Sequence, residues 1–558
     1  MTEASGTMQR SLQLLFAAVG FLLLIACANV ANLQLAKATS RTREMAIRLS
    51  IGAGRAQLMR QLLTESVLLS LLGGLLGLLF AFWITDLITR LIPAGNIPNE
   101  SRVEMNSYVL VFSVFISVGT GILFGLAPAL QSSRPNLVSS LKEESHGSGA
   151  LAGGRIRAAL VVAEVALSMV LLVSAGLTVR SFLAMQQIEL GFKPERVMVM
   201  DLPLAPKRYQ TWDQRTQFAR ELLERVRTLP GIEAATVGNG GLPFDTVQLN
   251  YTIEGHEDNQ QRDMTLDLVS ADYLRTMRIP LKQGRMLSEQ EVNTSQPLAV
   301  INETAAKLWP DGESPIGRRL RIDQLVHPPG SQVRIPTNAS PYLTIVGVVG
   351  DTIDTGNGGL QSRPSPAVLV PYPLLRPPGF SLAVRTAGQP KLLANAIRAT
   401  VREIDKEQPV NGPTTFDEIL SMVVAQPRFT MLLFSLFAGL GLSLAMAGIY
   451  SVLSYSVSRR TREIGVRVAL GAQRRDVLRL IFKSGIGLVA LGVSVGLIAS
   501  LAAARFLQSQ IGLFQVHSAD PISFVAVILL LGLVAAAACF IPARRAAHVD
   551  PMKALRYE

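Results

Sequence analysis

The sequence predicts an α-helical membrane protein with seven transmembrane helices and one large extracytoplasmic α+β domain. Three observations predict it. Seven stretches are apolar over about 20 residues, the length a helix needs to cross a bilayer core. A polar block, 180–428, separates the fourth from the fifth and contains no such stretch. Arginine and lysine concentrate in alternate connections. The composition agrees. With 49% hydrophobic and 17% charged residues and a mean hydropathy of +0.33, the chain of 558 residues is too apolar for an ordinary soluble protein and unlike a disordered one.

In order, the spans run Leu12–Ala36, Ser66–Ile88, Tyr108–Leu130, Ala158–Val179, Phe429–Val457, Ser484–Ala504 and Ile522–Ile541. The segment before the first span holds one basic residue, Arg10, and that span is too long for a signal-peptide core, so no cleaved leader is expected. Connections 37–65, 132–157 and 458–483 and the tail 542–558 are rich in Arg and Lys, whereas 93–107 holds only Arg102 and 507–520 none. Basic loops stay on the cytoplasmic side. The N-terminus is therefore expected outside, the C-terminus in the cytoplasm and 185–427 outside.

The net charge of +12 follows this topology. Block 185–427 holds 25 basic and 27 acidic residues, and the remainder holds 28 and 14. The excess thus belongs to membrane loops, and no basic face offers itself to nucleic acid. Two cysteines, Cys27 and Cys539, exclude a disulfide framework, and both are expected as isolated thiols within spans.

A repeat with a spacing of 419 residues is the strongest internal signal. Thr42–Ala53 (TREMAIRLSIGA) lines up with Thr461–Ala472 (TREIGVRVALGA), each after a span and before a glycine-rich one. A weaker match, shifted by 414, joins Pro128-Ala129 and Asn136–Lys142 to Pro542-Ala543 and Asp550–Arg556. Spans one to three therefore repeat as spans five to seven. Within each copy, apolar residues at i and i+4 and charges opposite make a short amphipathic helix at the cytoplasmic surface, with Gly52 and Gly471 at its C-cap. Glu44 can pair with Arg48, and Glu463 with Arg467, at i, i+4. Either a lipid-headgroup anchor or a docking element fits this pattern. Its recurrence in the same residue order favours docking.

The segments 43–53 and 462–472, with the C-terminal runs Pro542–Ala547 and Asp550–Glu558, resemble the FtsX-like permease domain of MacB-type ABC transporters. Asp272–Met277, Ile279–Leu281, Gly284-Arg285, Val300–Glu303 and Pro315–Leu320 resemble the MacB periplasmic core domain. The resemblance divides the chain into a first FtsX-like permease domain of three helices at 1–145, a linker and fourth helix at 146–184, a MacB-like periplasmic core at 185–427 and a second FtsX-like permease domain at 428–558. It implies a permease subunit of a bacterial inner-membrane ABC transporter that couples a separate cytoplasmic ATPase to movement of the periplasmic domain, for efflux or export.

The residues it implies for coupling are Arg43, Glu44, Arg48 and Gly52, with Arg462, Glu463, Arg467 and Gly471. The implied partners are the ATPase, membrane lipid, and a periplasmic adaptor or hydrolase. The doubled plan resembles the acidobacterial duplicated permeases, here without their first helix and first periplasmic domain. A truncated, non-autonomous permease, an FtsX-type regulator of cell-wall hydrolases, a dimer, and completion by another permease half all stay open.

A P-loop needs Gly-Lys, because the glycine amides cradle the phosphates and the lysine reaches the terminal ones. No Gly-Lys dipeptide occurs, so ATP hydrolysis is expected in a separate subunit. No catalytic, metal or cofactor site is expected. Asp351–Gly359 resembles a fragment of a calcium loop but lacks its later bidentate glutamate, and His256 among Glu254, Glu257 and Asp258 reads as a solvated acidic turn.

Within the block, Arg196–Leu202 and Ile232–Val237 read as strands around a helix, Trp212–Leu229. Ser381–Arg385 and Val410–Phe416 flank a second helix, Pro390–Ile404, whose apolar face is Leu392, Leu393, Ile397 and Val401. Two parallel βαβ units with a β-rich insert, 245–375, are expected. Three intramembrane polar residues stand out, Asn29 and Asn32 in the first span and Glu164 in the fourth. A carboxyl in hydrocarbon is costly, and both an inter-span contact and a role in conformational coupling fit it.

Overall fold

The computed structural model describes residues 2–40, 48, 54–91, 106–132, 149–239, 247–255, 262–309, 313–322, 342–355, 360–374, 379–459, 466–467, 470 and 473–547. The chain divides into a sheet unit, Phe182–Arg428 with Met1–Ala4, and a helical unit, Ser5–Ser181 with Phe429–Glu558. The long helices are α1 (Thr2–Ser40), α2 (Arg55–Leu91), α3 (Ser107–Ser132), α4 (Gly149–Gln186), α5 (Trp212–Arg227), α6 (Ala394–Ile404), α7 (Phe416–Val423), α8 (Ala425–Arg459), α9 (Arg474–Ile511) and α10 (Pro521–Ala547).

Six helices of the helical unit contain stretches long and apolar enough to cross a membrane: α1, α2, α4, α8, α9 and α10. The third expected span is also helical, as α3, 26 residues long, and its apolar stretch among the described residues is Ser107–Ile122. Among the described residues, six of the seven expected spans thus meet the length and hydropathy a crossing needs. The repeat is visible in the helix boundaries. Helices α1 and α8 end at Ser40 and Arg459, and α2 and α9 begin at Arg55 and Arg474, both 419 residues apart. Helices α3 and α10 begin at Ser107 and Pro521, 414 apart.

Helix α4 is the most buried span of the unit and α2 the least. Small residues let its neighbours come close. A Cβ at Gly492 or Gly496 of α9 would stand 2.7 Å from Val165 Cβ and 3.0 Å from Met169 Cβ respectively, so α9 meets α4 where it has no side chains. One apolar cluster gathers Leu14, Ala18 and Ile25 of α1, Met169, Leu171, Leu172 and Val173 of α4, Phe434 and Ala438 of α8, and Phe524, Val527 and Leu531 of α10. Cys27 and Cys539 are both buried free thiols.

The sheet unit contains strands β1 (Val197–Pro203), β2 (Ile232–Gly238), β3 (Val247–Ile253), β4 (Arg262–Val269), β5 (Leu281–Gly284), β6 (Leu298–Asn302), β7 (Arg319–Ile322), β8 (Tyr342–Val349), β9 (Ala367–Pro371), β10 (Gly379–Thr386) and β11 (Asn411–Thr415). The predicted strands and helices are present, but their pairing differs from the expected parallel units. The order is β11-β1-β10-β2, with every neighbouring pair antiparallel. Strand β10 lies between β1 and β2, and β1 lies between β10 and β11. Each βαβ unit is thus split to admit a strand of the other. The physical reason is burial: β10 is buried at all but its first residue, and such a strand is best satisfied with partners on both edges.

A capping box from Thr211 and Gln214 starts α5, which buries Phe218, Ala219, Leu222, Leu223 and Val226. Helix α6 buries Ile397 and Val401, but Leu392 is 77% exposed, because it lies in the 3-10 turn Pro390–Leu393 ahead of the helix. The β-rich insert closes on itself. The path β4-β3-β7-β8-β6-β9 returns to β4 through a parallel pairing of Thr265–Val269 with Ala367–Pro371. It is a six-stranded barrel, joined to the four-stranded sheet, among the described residues, by the bridge Gly238–Val269. Strand β5 lies off this closed path and pairs with β8.

Candidate functional site

The helical unit carries a line of polar groups along the inner face of α4. Helix α4 is rich in Ala, Leu and Val, its alanines let neighbours approach closely, and its few hydrogen-bonding side chains must find partners on neighbouring helices. Glu164 is fully buried, and its Oε1 accepts a 3.1 Å hydrogen bond from Asn32 Nδ2 of α1. Its Oε2 and the Asn32 Oδ1 receive no hydrogen bond among the described residues. One turn along, Ser168 Oγ donates to the Gly441 carbonyl of α8 at 3.0 Å.

Asn29 Nδ2 donates to the Leu444 carbonyl at 2.9 Å and to the Ile25 carbonyl at 3.4 Å. Ile25 and Leu444 are 419 residues apart, so one amide ties equivalent positions of the two repeats. Gly448 makes room for the cluster, because a Cβ there would overlap Glu164 Oε2 and stand 3.0 Å from Asn29 Oδ1.

Towards the start of α4, Arg157 was counted above with a cytoplasmic loop, yet it is buried. Its Nη2 donates to the Leu35 carbonyl at 2.7 Å, and its guanidinium lies 3.9 Å from the centre of the Tyr455 ring. At the other end Arg180 pairs with Asp520, which also caps α10 by accepting from Ser523 N at 2.9 Å and Ser523 Oγ at 2.7 Å. Ser181 Oγ accepts from Phe514 N at 2.8 Å. Polar contacts therefore join α4 to α1, α8 and α10 along its length. The arrangement presents no activated nucleophile. What it can do is hold four helices in one register, or release them together.

Asn29, Asn32 and Glu164 are thus brought into one cluster. Its other members were not singled out from sequence: Ser168, whose partner is a backbone carbonyl, and Gly448, whose role is the absence of a side chain. Of the eight coupling residues, Arg43, Glu44, Gly52, Arg462, Glu463 and Gly471 lie outside the described residues. Arg48 donates to Gln61 Oε1 at 3.0 Å, and Arg467 lies beside Val466, whose carbonyl accepts from Leu470 N at 2.9 Å.

In the sheet unit, Asp351 is committed elsewhere than to a cation. Its two oxygens accept from Thr304 N at 2.8 Å and Thr304 Oγ1 at 2.9 Å, and 356–359 lie outside the described residues. Glu254 is held by Arg319, with Nε donating at 2.6 Å, while His256, Glu257 and Asp258 lie outside the described residues. No group of three or more metal-binding side chains occurs among the described residues. Trp309 is buried in the core. Sequence reasoning missed Arg385, buried in β10, which donates to the carbonyls of Thr276 at 2.6 Å, Glu195 at 2.8 Å and Lys193.

The family model for the FtsX-like permease C-terminal matches this chain twice, at 16–137 and 435–551. The model for the MacB-like periplasmic core domain matches 158–429. The macrolide export ATP-binding/permease protein MacB of Hahella chejuensis is 27% identical over 303 residues, 53% of this chain and 43% of that protein. The pyoverdine export ATP-binding/permease protein PvdT of Pseudomonas syringae is 27% identical over 287 residues, 50% of this chain and 40% of that protein. The uncharacterized ABC transporter permease YvrN of Bacillus subtilis is 26% identical over 309 residues, 52% of this chain and 69% of that protein. The chain spans half or less of the length of the export proteins it matches. The crystal structure of the periplasmic region of MacB from Actinobacillus actinomycetemcomitans covers 42% of this chain and 95% of that one, at 14% identity and a TM-score of 0.28.

Proposed function

This chain is a MacB/FtsX-like ABC transporter permease, and on that premise we propose that it couples a separate cytoplasmic ATPase to movement of an extracytoplasmic domain, in export. The observation that carries the reading is the buried line on α4. This helix is hydrogen-bonded to α1 of the first repeat and α8 of the second, and it continues as helix to Gln186, just ahead of β1. A displacement of either repeat is then felt by the helix that leads into the sheet unit. The paired Arg–Glu segments at 43–52 and 462–471 are the natural contacts for the ATPase, one per repeat.

In this reading α3 is the seventh crossing, the N-terminus and 185–427 face outward, and the C-terminus is cytoplasmic. The MacB-like core domain favours export over regulation of a cell-wall hydrolase, and the relatives named for macrolide and pyoverdine export point the same way. The permease copurified with its ATPase tests the proposal. Glu463→Gln with Arg467→Ala should abolish stimulation of ATP turnover by the permease while leaving its thermal unfolding unchanged. Full stimulation by that double variant would refute the coupling role.

A further inference from the structure

The stretch 187–196 between α4 and β1 forms neither helix nor strand, yet its backbone is held at several points. Leu190 O accepts from Ile353 N at 3.0 Å, Lys193 N donates to Met277 O at 3.0 Å, and Arg196 O accepts from Thr386 N at 3.0 Å. Gly191, at φ +77°, lies so close to Asp351 that a Cβ would stand 1.9 Å from the Asp351 carbonyl oxygen. Phe192 is buried and meets the Phe416 ring edge-on, with centroids 5.6 Å apart. Asp351 and Ile353 follow β8 of the barrel, Thr386 ends β10 of the four-stranded sheet, and Phe416 begins α7, which leads into α8. The stretch therefore touches the barrel, the sheet and the chain's return towards the second repeat.

Arg385 gathers these contacts. It is buried in β10, and each nitrogen of its guanidinium donates to a different backbone carbonyl: Nε to Thr276 at 2.6 Å, Nη1 to Glu195 at 2.8 Å and Nη2 to Lys193. Two of these acceptors belong to the stretch 187–196. The third belongs to the short helix Tyr273–Met277, which connects β4 to β5 and packs on β2 and β10. Irregular backbone has no ladder to satisfy its carbonyls, so buried ones need donors from side chains. A planar fork of fixed spacing reaches three separated acceptors, which the single ammonium nitrogen of a lysine does not. A buried guanidinium is a costly route to stability alone, since apolar residues of similar volume often do as well. What it adds here is a fixed geometry.

We propose that Arg385 is the positioning residue of the coupling path: it fixes 187–196 against β10 and Tyr273–Met277, so that displacement at the end of α4 moves sheet and barrel as one body. The inference rests on the ATPase-coupling reading and names the residue through which the sheet unit receives the movement. Among the described residues the strand ladders join barrel and sheet by the bridge Gly238–Val269, a slight connection for a load. Packed and hydrogen-bonded segments carry a displacement that a free linker of this length would absorb.

The test uses the full permease with its ATPase in lipid nanodiscs. Spin labels sit at Gln290→Cys, exposed on the short helix Glu289–Asn293 between β5 and β6, and at Val525→Cys of α10. A non-hydrolysable ATP analogue should shift the distance between them. Arg385→Met should lose that shift with the analogue still bound, and Arg385→Lys should lose part of it. Tyr209→Phe is the control. It removes a buried 2.7 Å hydrogen bond to Asp405 beyond the other end of β1, so it should unfold at a lower temperature yet keep the full shift. Each variant is measured below its unfolding midpoint, and if Arg385→Met does not fold, Arg385→Lys decides. An unaltered shift in the Arg385 variants, or an equal loss in Tyr209→Phe, would overturn the role of Arg385. No shift in the labelled protein without these substitutions would instead refute the ATPase-coupling reading, and the inference with it.

Discussion

Gly448 is the residue at which the buried cluster tolerates least. A methyl group there must displace either Glu164 or a helix, and overpacking of this kind costs about 1–3 kcal/mol. Gly448→Ala is expected to lower the unfolding midpoint in detergent, and adding Glu164→Ala should restore most of the loss. Simple additivity in that double-mutant cycle would contradict the contact. In the sheet unit, a hydrogen bond from Arg285 holds the Glu291 carboxyl down at about 2, helped by the backbone and hydroxyl of Ser288. An unfolded glutamate titrates near about 4.3, so this carboxylate supports the fold above that pH and stops doing so as pH falls towards about 2. Arg285→Ala should flatten the acid limb of the stability curve measured by circular dichroism; an unchanged limb would show that the pair contributes nothing. At this scale the sequence betrays only part of the cluster. Asn29, Asn32 and Glu164 are conspicuous because polar groups are rare in apolar helices. Gly448 and the carbonyls of Leu444 and Gly441 carry no chemical label, and only the packing identifies them.

Helices were more legible than strand pairings. Twenty-residue apolar runs identify spans by themselves, and the 419-residue repeat anticipates the shared ends of α1 with α8 and the shared starts of α2 with α9. Strand existence was also readable from alternation around α5 and α6. Pairing was not, because whether β1 meets β2 or β10 is decided some 180 residues away, and nothing local encodes it. Burial of Arg157 was hidden for a related reason: loop arithmetic counts its charge, while its stacking on Tyr455 belongs to another helix. The start of α10 gives an element-level prediction. Asp520 both caps Ser523 and pairs with Arg180, so Asp520→Ala loses a cap and an ion pair together, a cost of about 1–3 kcal/mol. Asp520→Asn keeps the cap acceptor and should recover part of the stability in thermal unfolding of the intact protein; equal losses would assign the whole effect to the ion pair.

The whole molecule alternates a helical unit built from two copies of one pattern with a sheet unit inserted between them. That plan was visible from the repeat and from the polar block. The barrel inside the sheet unit was visible only as β-rich, because its closure depends on the parallel β4–β9 pairing of distant segments. Orientation is tested simply: Leu392→Cys, on an exposed turn of the sheet unit, should react with a membrane-impermeant maleimide added outside intact cells. Reaction only after the membrane is breached would reverse the topology. The central claim, that nucleotide at the ATPase moves the sheet unit, is tested most directly by electron–electron resonance between spin labels at Leu392→Cys and Val525→Cys in the reconstituted complex. The two native thiols are buried and add no exposed label. The account predicts a distance distribution that shifts when a non-hydrolysable ATP analogue binds and returns when it is removed. An identical distribution with the analogue demonstrably bound would contradict it.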